Sequence, residues 1–255
     1  MFKSTLIVAF SWLVGLLVLF AMPALASDPI NVPAVYVPLP LEQVVTNLVR
    51  KNQERAQSLR SVIATRVYHL EYRGFPGDRD AYMTVRAAYA NPAGKDFDVL
   101  SEDGSKFLRD RVFKKLLEDE KEAATGEAQS RMLLNRSNYD FAMVRYEPDS
   151  RQYVLQVNPK SKGKYLYRGQ VWVDGTDFAV TRIVAEPAQN PSFWTKHSEF
   201  RHEYVKVQGF WVPARNQSVS YIRLGGRATL TIEYKDYDLN GSPANAISSA
   251  TAIRE

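Results

Sequence analysis

From residue 61 onward, apolar and polar residues alternate with a period of two through about ten separate stretches, and the helical period of 3.6 recurs only twice. The stretches lie near 61–72, 81–89, 97–100, 138–146, 151–158, 165–174, 177–185, 199–207, 210–222 and 227–237. Turn signals such as Gly74-Phe75-Pro76-Gly77-Asp78, Asp174-Gly175, Gln208-Gly209 and Gly225-Gly226 separate them. The last stretch is the cleanest: Ala228, Leu230, Ile232 and Tyr234 alternate with Arg227, Thr229, Thr231, Glu233 and Lys235. That pattern predicts antiparallel strands with one buried and one wetted face. A sheet of this many strands must curl, split or close. The fold class expected is mostly β with helices (α+β), a curved antiparallel sheet.

The two helical stripes predict what covers that sheet. Leu41, Val44, Val45, Leu48, Val49, Ala56 and Leu59 recur at helical spacing and predict an amphipathic helix over 39–60. Leu108, Val112, Phe113, Leu116 and Leu117 form a second stripe over 106–124, inserted between the third and fourth strands. A curled sheet carrying both helices on its concave face would bury both stripes at once. In the first strand Val62, Ala64, Tyr68, Leu70 and Tyr72 share one face, and Arg66 interrupts it.

The chain begins with Lys3, an apolar run over 6–22, Pro23 and Ala24-Leu25-Ala26. These are the parts of a secretory signal peptide cleaved after Ala26. The rival reading is an uncleaved anchor; small residues at 24 and 26 favour cleavage. The expected organisation is a signal peptide at 1–26, an extended proline-rich linker at 27–38, one domain at 39–238 and a small, polar tail at 239–255. The 255 residues contain no cysteine, which excludes a disulfide scaffold, a thiol nucleophile and Cys-ligated metal. An exported chain of this size without disulfides fits a bacterial periplasm better than an animal extracellular space.

The search for chemistry returns little. The three histidines are His69, His197 and His202; the last two are five apart in a strand region and point to opposite faces, a poor metal pair. No catalytic signature or phosphate-binding loop is present. Neither catalytic residues, nor a metal, nor a cofactor is expected. The net charge is +5, with basic residues spread through the chain, and export argues against nucleic acid. Aromatic residues crowd the C-terminal half. They suit an ordinary core or the soft wall of a lipid cavity, and the sequence does not separate the two.

The order of features from Arg151 onward resembles a known family. Tyr153-Val154-Leu155 leads to Pro159-Lys160; then come Tyr167-Arg168-Gly169, Val171-Trp172-Val173-Asp174, Phe178-Ala179-Val180-Thr181-Arg182-Ile183 and Gly209-Phe210-Trp211-Val212-Pro213. This resembles the outer-membrane lipoprotein-sorting, or periplasmic lipoprotein carrier (LolA-like), superfamily. The resemblance implies an incomplete β-barrel with helices as a lid over an apolar cavity. The cavity would take acyl chains of a lipoprotein or lipid from an inner-membrane exporter and carry them to an outer-membrane receptor, requiring no catalyst or cofactor. It also implies an arginine that ties the lid to the barrel, for which Arg66 and Arg86 are both candidates. Strand parity places Leu70, Phe141, Met143, Leu155, Trp172, Trp194, Trp211, Leu230 and Ile232 near the wall of such a cavity, with Leu108, Val112, Phe113, Leu116 and Leu117 on the lid helix. A monomer is expected. A lipid-sensing envelope regulator with the same fold, or an envelope hydrolase, stands as the alternative.

Overall fold

The computed structural model describes residues 37–240 apart from 91–93, 124–131, 164, 191–192, 194 and 224. The leader at 1–26, most of the linker, the tail beyond 240 and Trp194 lie outside the described residues. Residues from Pro38 onward form one compact unit. Among the described residues no helix is long and apolar enough to cross a membrane.

The first helix, α1 (Leu41–Ser58), starts at Pro40, whose fixed φ suits a helix entry. The Tyr153 hydroxyl accepts a 3.0 Å hydrogen bond from the Leu39 backbone N–H and pins that entry to the sheet. The helix ends where Asn240 intervenes. Its side-chain oxygen accepts from Arg60 N–H at 2.7 Å and its amide nitrogen donates to the Ser58 carbonyl at 3.1 Å. One amide thus takes up a carbonyl orphaned at the helix end and turns the chain into the first strand.

Ten strands follow: β1 (Ser61–Arg73), β2 (Arg79–Ala90), β3 (Gly94–Gly104), β4 (Tyr139–Glu147), β5 (Gln152–Pro159), β6 (Tyr167–Asp174), β7 (Val180–Pro187), β8 (Thr195–Val207), β9 (Phe210–Ile222) and β10 (Arg227–Leu239). They form one antiparallel sheet in the order β3-β2-β1-β10-β9-β8-β7-β6-β5-β4. The two ends, β3 and β4, are not joined, so the curved sheet stays unclosed. Between β3 and β4 lies α2 (106–123). It comprises α-helix at Lys106–Leu108, a π-helical segment at Arg109–Phe113 and α-helix at Lys114–Ala123. The sequence pattern foresaw the strand count and both helices. It did not foresee the π segment, the full length of β3 or the start of β8 at Thr195.

Register shows that both helices sit on the same face. Directly paired residues share a face. The row Phe141–Val157–Gly169–Ala185–Phe200–Ser218–Leu230–Leu70–Ala81 crosses nine of the ten strands. At one end of the sheet, Val44, Val45 and Leu48 of α1 pack on Tyr153, Leu155, Val157, Val171 and Ile183. At the other, Leu108, Phe113 and Leu117 of α2 pack on Tyr68, Leu70, Met83 and Val85. The Tyr68 and Phe113 rings meet edge-on at 5.8 Å. Leu48 and Phe113 are fully buried, and each such side chain stabilises by roughly 1.5–3 kcal/mol.

Gly169 in that row shows how tight the sheet is beneath α1. A Cβ there would lie 2.3 Å from the Val184 carbonyl oxygen and 2.5 Å from Ala185 Cα. Backbone cannot yield as a flexible side chain can. Gly169→Val is expected to cost about 1–3 kcal/mol, read as a lower urea midpoint. An unchanged midpoint would show that the β6–β7 approach is looser than described.

Candidate functional site

The two packed clusters leave the middle of the concave face uncovered. There, over β8, β9, β10 and β1, lies a cavity of about 790 Å³ between α1 and α2. Its roof comes from the C-terminal half of α1, where the apolar stripe continues as Ala56 and Leu59, and from Glu120 of α2. Val62, Ala64 and Ala87 line one side, and Phe210, Trp211 and Val212 the other. The lining is mainly apolar and tyrosine. The volume falls within the ~300–1,000 Å³ usual for small-ligand sites. Ala56 and Leu133, both solvent-exposed, border the cavity, so it opens outward.

A charge cluster closes the α2 side. Arg66 Nη1 donates to both carboxylate oxygens of Glu120, at 3.0 and 2.8 Å. Lys95 Nζ of β3 donates to the same carboxylate at 2.7 Å. The Arg66 guanidinium also stands 5.5 Å from the Phe97 ring centroid and 5.2 Å from that of Tyr234. Burial alone would raise the Glu120 pKa. Arg66 and Lys95 outweigh it and hold the carboxyl below its ordinary value. Burial likewise disfavours the Arg66 charge, and Glu120 overcomes that penalty. Of the two candidate arginines, Arg66 therefore meets α2. Arg86 lies between Val85 and Ala87, whose buried side chains point to the concave face, so its own points away.

The floor is polar. Asn216 of β9 donates from Nδ2 to the Tyr234 hydroxyl at 2.8 Å, while its Oδ1 is buried without a partner. Turning the amide over would exchange the atoms but still leave one unpaired. Arg66 Nε is also buried without a partner. His202, the register partner of Asn216, contacts the Phe200 ring at 4.7 Å, and burial lowers its pKa to about 4. Tyr204 follows on the same face, and burial raises its hydroxyl to about 12. A buried polar atom without a partner costs about 1–3 kcal/mol.

A second, smaller cleft of about 290 Å³ adjoins the end of α1 and shares Arg55, Phe210 and Trp211 with the cavity. Its charges are largely spoken for. Arg55 donates to the Asp177 and Phe178 carbonyls, each at 3.2 Å, and the Asp177 carboxylate accepts from Lys206 at 2.6 Å and Trp211 Nε1 at 2.8 Å. On the convex face His69, Glu71 and Asp80 lie together, but Arg73 already donates to both carboxylates.

The residues expected at a cavity wall are dispersed. Trp211 lines the cavity. Leu155, with Phe141 and Met143 packed nearby, belongs to the core beneath α1. Leu70 and Ile232, with Leu230 against them, belong to the core beneath α2. The stripe Leu108, Val112, Phe113, Leu116 and Leu117 packs into that same core. Trp172 faces the other way: it pairs with Val154 while Leu155 pairs with Val171, so Trp172 and Leu155 occupy opposite faces. There its ring lies 4.1 Å from the Arg182 guanidinium. Missed from the sequence were Asn216, His202, Tyr204 and Tyr237. The available signal was β9, whose inward positions Asn216, Ser218 and Ser220 are all polar.

No family model matches the chain, and no curated protein matches it. Among solved structures it is similar to a DUF1329 family protein from Desulfovibrio piger, at 12% identity and a TM-score of 0.39 over 81% of this chain and 97% of the other. It is similar to an outer-membrane lipoprotein-sorting-type domain from Vibrio parahaemolyticus, at 12% identity and a TM-score of 0.37 over 76% and 92%. It is also similar to a LolA superfamily protein from Nitrosomonas europaea, at 12% identity and a TM-score of 0.35 over 79% and 96%.

Two outcomes follow from the charges at this site. Glu120→Leu alone leaves a mostly buried guanidinium unmatched and is expected to cost about 2 kcal/mol, with Arg66→Leu/Glu120→Leu more stable than the sum of the single changes by over about 1 kcal/mol. Additive single costs in chemical denaturation would show that the pair is uncoupled. His202 has a depressed folded pKa, so as pH falls the unfolded chain takes up a proton that the folded ring refuses, and stability drops between 6.5 and about 4. The wild type is expected to lose about 2 kcal/mol more than His202→Phe between pH 7 and pH 5. Parallel stability–pH curves would refute that.

Proposed function

We propose that this protein is an exported carrier of the bacterial envelope that holds the acyl chains of a lipoprotein or lipid in the cavity between α1 and α2. The observation that carries this reading is the 790 Å³ of largely apolar, outward-opening space above a sheet whose two ends are already solidly packed. An acyl chain of about 16 carbons, at about 0.8 kcal/mol for each buried CH₂, resists leaving a bilayer by roughly 13 kcal/mol. Only another apolar enclosure offsets such a cost in water, and binding alone suffices; turnover is not part of the proposal. The sequence features in front of the domain support delivery to the periplasm, with cleavage after Ala26 releasing a linker at 27–38, the domain at 39–238 and a tail at 239–255. An inner-membrane donor and an outer-membrane acceptor are the partners this role requires.

The Arg66–Glu120–Lys95 cluster supplies the gate. It ties α2 to β1 and β3 by charge and not by further apolar packing. Water readily solvates separated charges, so α2 can lift at that end without exposing the Phe113 core.

Protein recovered from its own host's envelope is expected to yield acyl lipid by mass spectrometry after solvent extraction, near one molecule per chain. Ala56→Trp, which puts a large ring at an exposed position bordering the cavity, is expected to reduce uptake of a fluorescent acyl probe about tenfold or more with no loss of fold. Finding neither co-purified lipid nor probe uptake would end the carrier reading.

A further inference from the structure

The charges beside the cavity do not balance. Among the described residues its lining carries three cations, Arg55, Arg66 and Lys95, against the one carboxylate of Glu120. His202, kept neutral by burial, adds no charge at pH 7. The excess sits on two sides, and on each two cations share a single carboxylate. On the α2 side Arg66 and Lys95 share Glu120. On the α1 side Lys206 is bonded to Asp177, and Arg55 lies close enough to the same carboxylate to feel its charge. A hydrocarbon guest would exclude the water that now compensates the surplus.

The two sides differ in what they have left to give. Arg55 spends its guanidinium on the Asp177 and Phe178 carbonyls and on the Asn52 side chain. Arg66 bonds Glu120 through Nη1 alone. Its Nε is sealed from water, whereas among the described residues Nη2 is neither hydrogen-bonded nor sealed. Lys95 Nζ makes one hydrogen bond, to Glu120, and an ammonium has three N–H groups to offer. Its side chain is 29% exposed, against 12% for Arg66, so the ammonium is the more open of the two. Phe97, Ala64 and Val212 belong to the same lining, which gives a hydrocarbon chain an apolar wall beside the charge.

We propose that the occupant's acyl chain carries an anionic head, a carboxylate or a phosphate, and that this head lies beside Glu120 against Lys95 Nζ and Arg66 Nη2. The proposal rests on the carrier reading and adds the charge of the head. The two cations then stand between two anions, Glu120 and the head, and a singly charged head closes the count on the α2 side. Arg55 adds attraction at longer range from the other side. A neutral head would leave the surplus uncompensated, and a cationic head would add to it. Carboxylate and phosphate offer the ammonium and the guanidinium the same charge-assisted hydrogen bonds.

The test uses the delipidated protein at pH 8, loaded with the apolar dye N-phenyl-1-naphthylamine. The dye is displaced by amphiphiles that share a twelve-carbon chain, each below its micellar concentration: laurate, dodecyl phosphate, 1-monolauroylglycerol and dodecyltrimethylammonium. The stronger of the two anions is expected to displace it at about tenfold lower concentration than monolauroylglycerol, with the ammonium weakest. Which anion is stronger assigns the head as carboxylate or phosphate. In Lys95→Gln the preference for the anion is expected to fall to about threefold or less, and Lys95→Arg restores it. Lys162→Gln, the same loss of charge at an exposed lysine between β5 and β6, is expected to leave it unchanged. Circular dichroism checks that each variant is folded. Equal displacement by all the amphiphiles, a preference for the neutral or cationic head, or an anion preference that Lys95→Gln leaves intact or that Lys162→Gln reduces as much would overturn the head assignment while leaving the carrier reading intact. A dye that does not bind, or that no amphiphile displaces, would overturn the carrier reading itself.

Discussion

Two helices are too narrow to cover ten strands. Strands about 4.8 Å apart give a sheet about 43 Å across along its curve, and each helix covers a width of about 10 Å. Curling shortens the span to be covered but does not remove the shortfall. Here α1 takes the β4–β7 end and α2 the β1–β3 end, each with its own compact core. The uncovered remainder is the stretch over β8, β9 and β10 with one end of β1, β2 and β3, and the cavity lies there. The hollow is thus a consequence of the strand-to-helix ratio, and the side chains decide only what it is lined with.

That view explains why the polar groups gather where they do. Beneath the helices, the inward positions are apolar or tyrosine, as dense packing demands. In the gap there is no helix to pack against. The inward side of β9 carries Asn216, Ser218 and Ser220, and β8 contributes His202. Arg66 stands at the boundary between these regimes, with its charge committed to α2 and its Nε buried without a partner. Stability has been given up at these positions relative to an apolar filling, which is the usual mark of a site and not of a scaffold.

Much of the architecture was legible before the structure. The alternation along β10 identified its inward residues, and the two helical stripes identified what would cover the sheet. Legibility failed where alternation failed. In β6, Val171, Trp172 and Val173 are all buried, so the sequence offers no parity there, and register with β5 puts Trp172 on the convex face. In β9 both faces are polar enough that neither reads as inward. Arg66 read as an interruption in an apolar face, and it is the residue that meets the opposing helix. The wall residues inferred from apolar parity went mostly to the two cores, because apolar parity marks where helices pack and the open centre carries a different code. The π-helical segment of α2 left no signal, since helical periodicity does not register one additional residue per turn.

No ladder of hydrogen bonds joins β3 to β4. In a closed barrel, strand number and stagger fix the bore, and widening it means breaking pairs. An open ribbon has no such seam. Its girth changes by small alterations of twist shared over many residues, each of them soft. On the carrier proposal, guests of unequal thickness would then fit at nearly constant backbone cost.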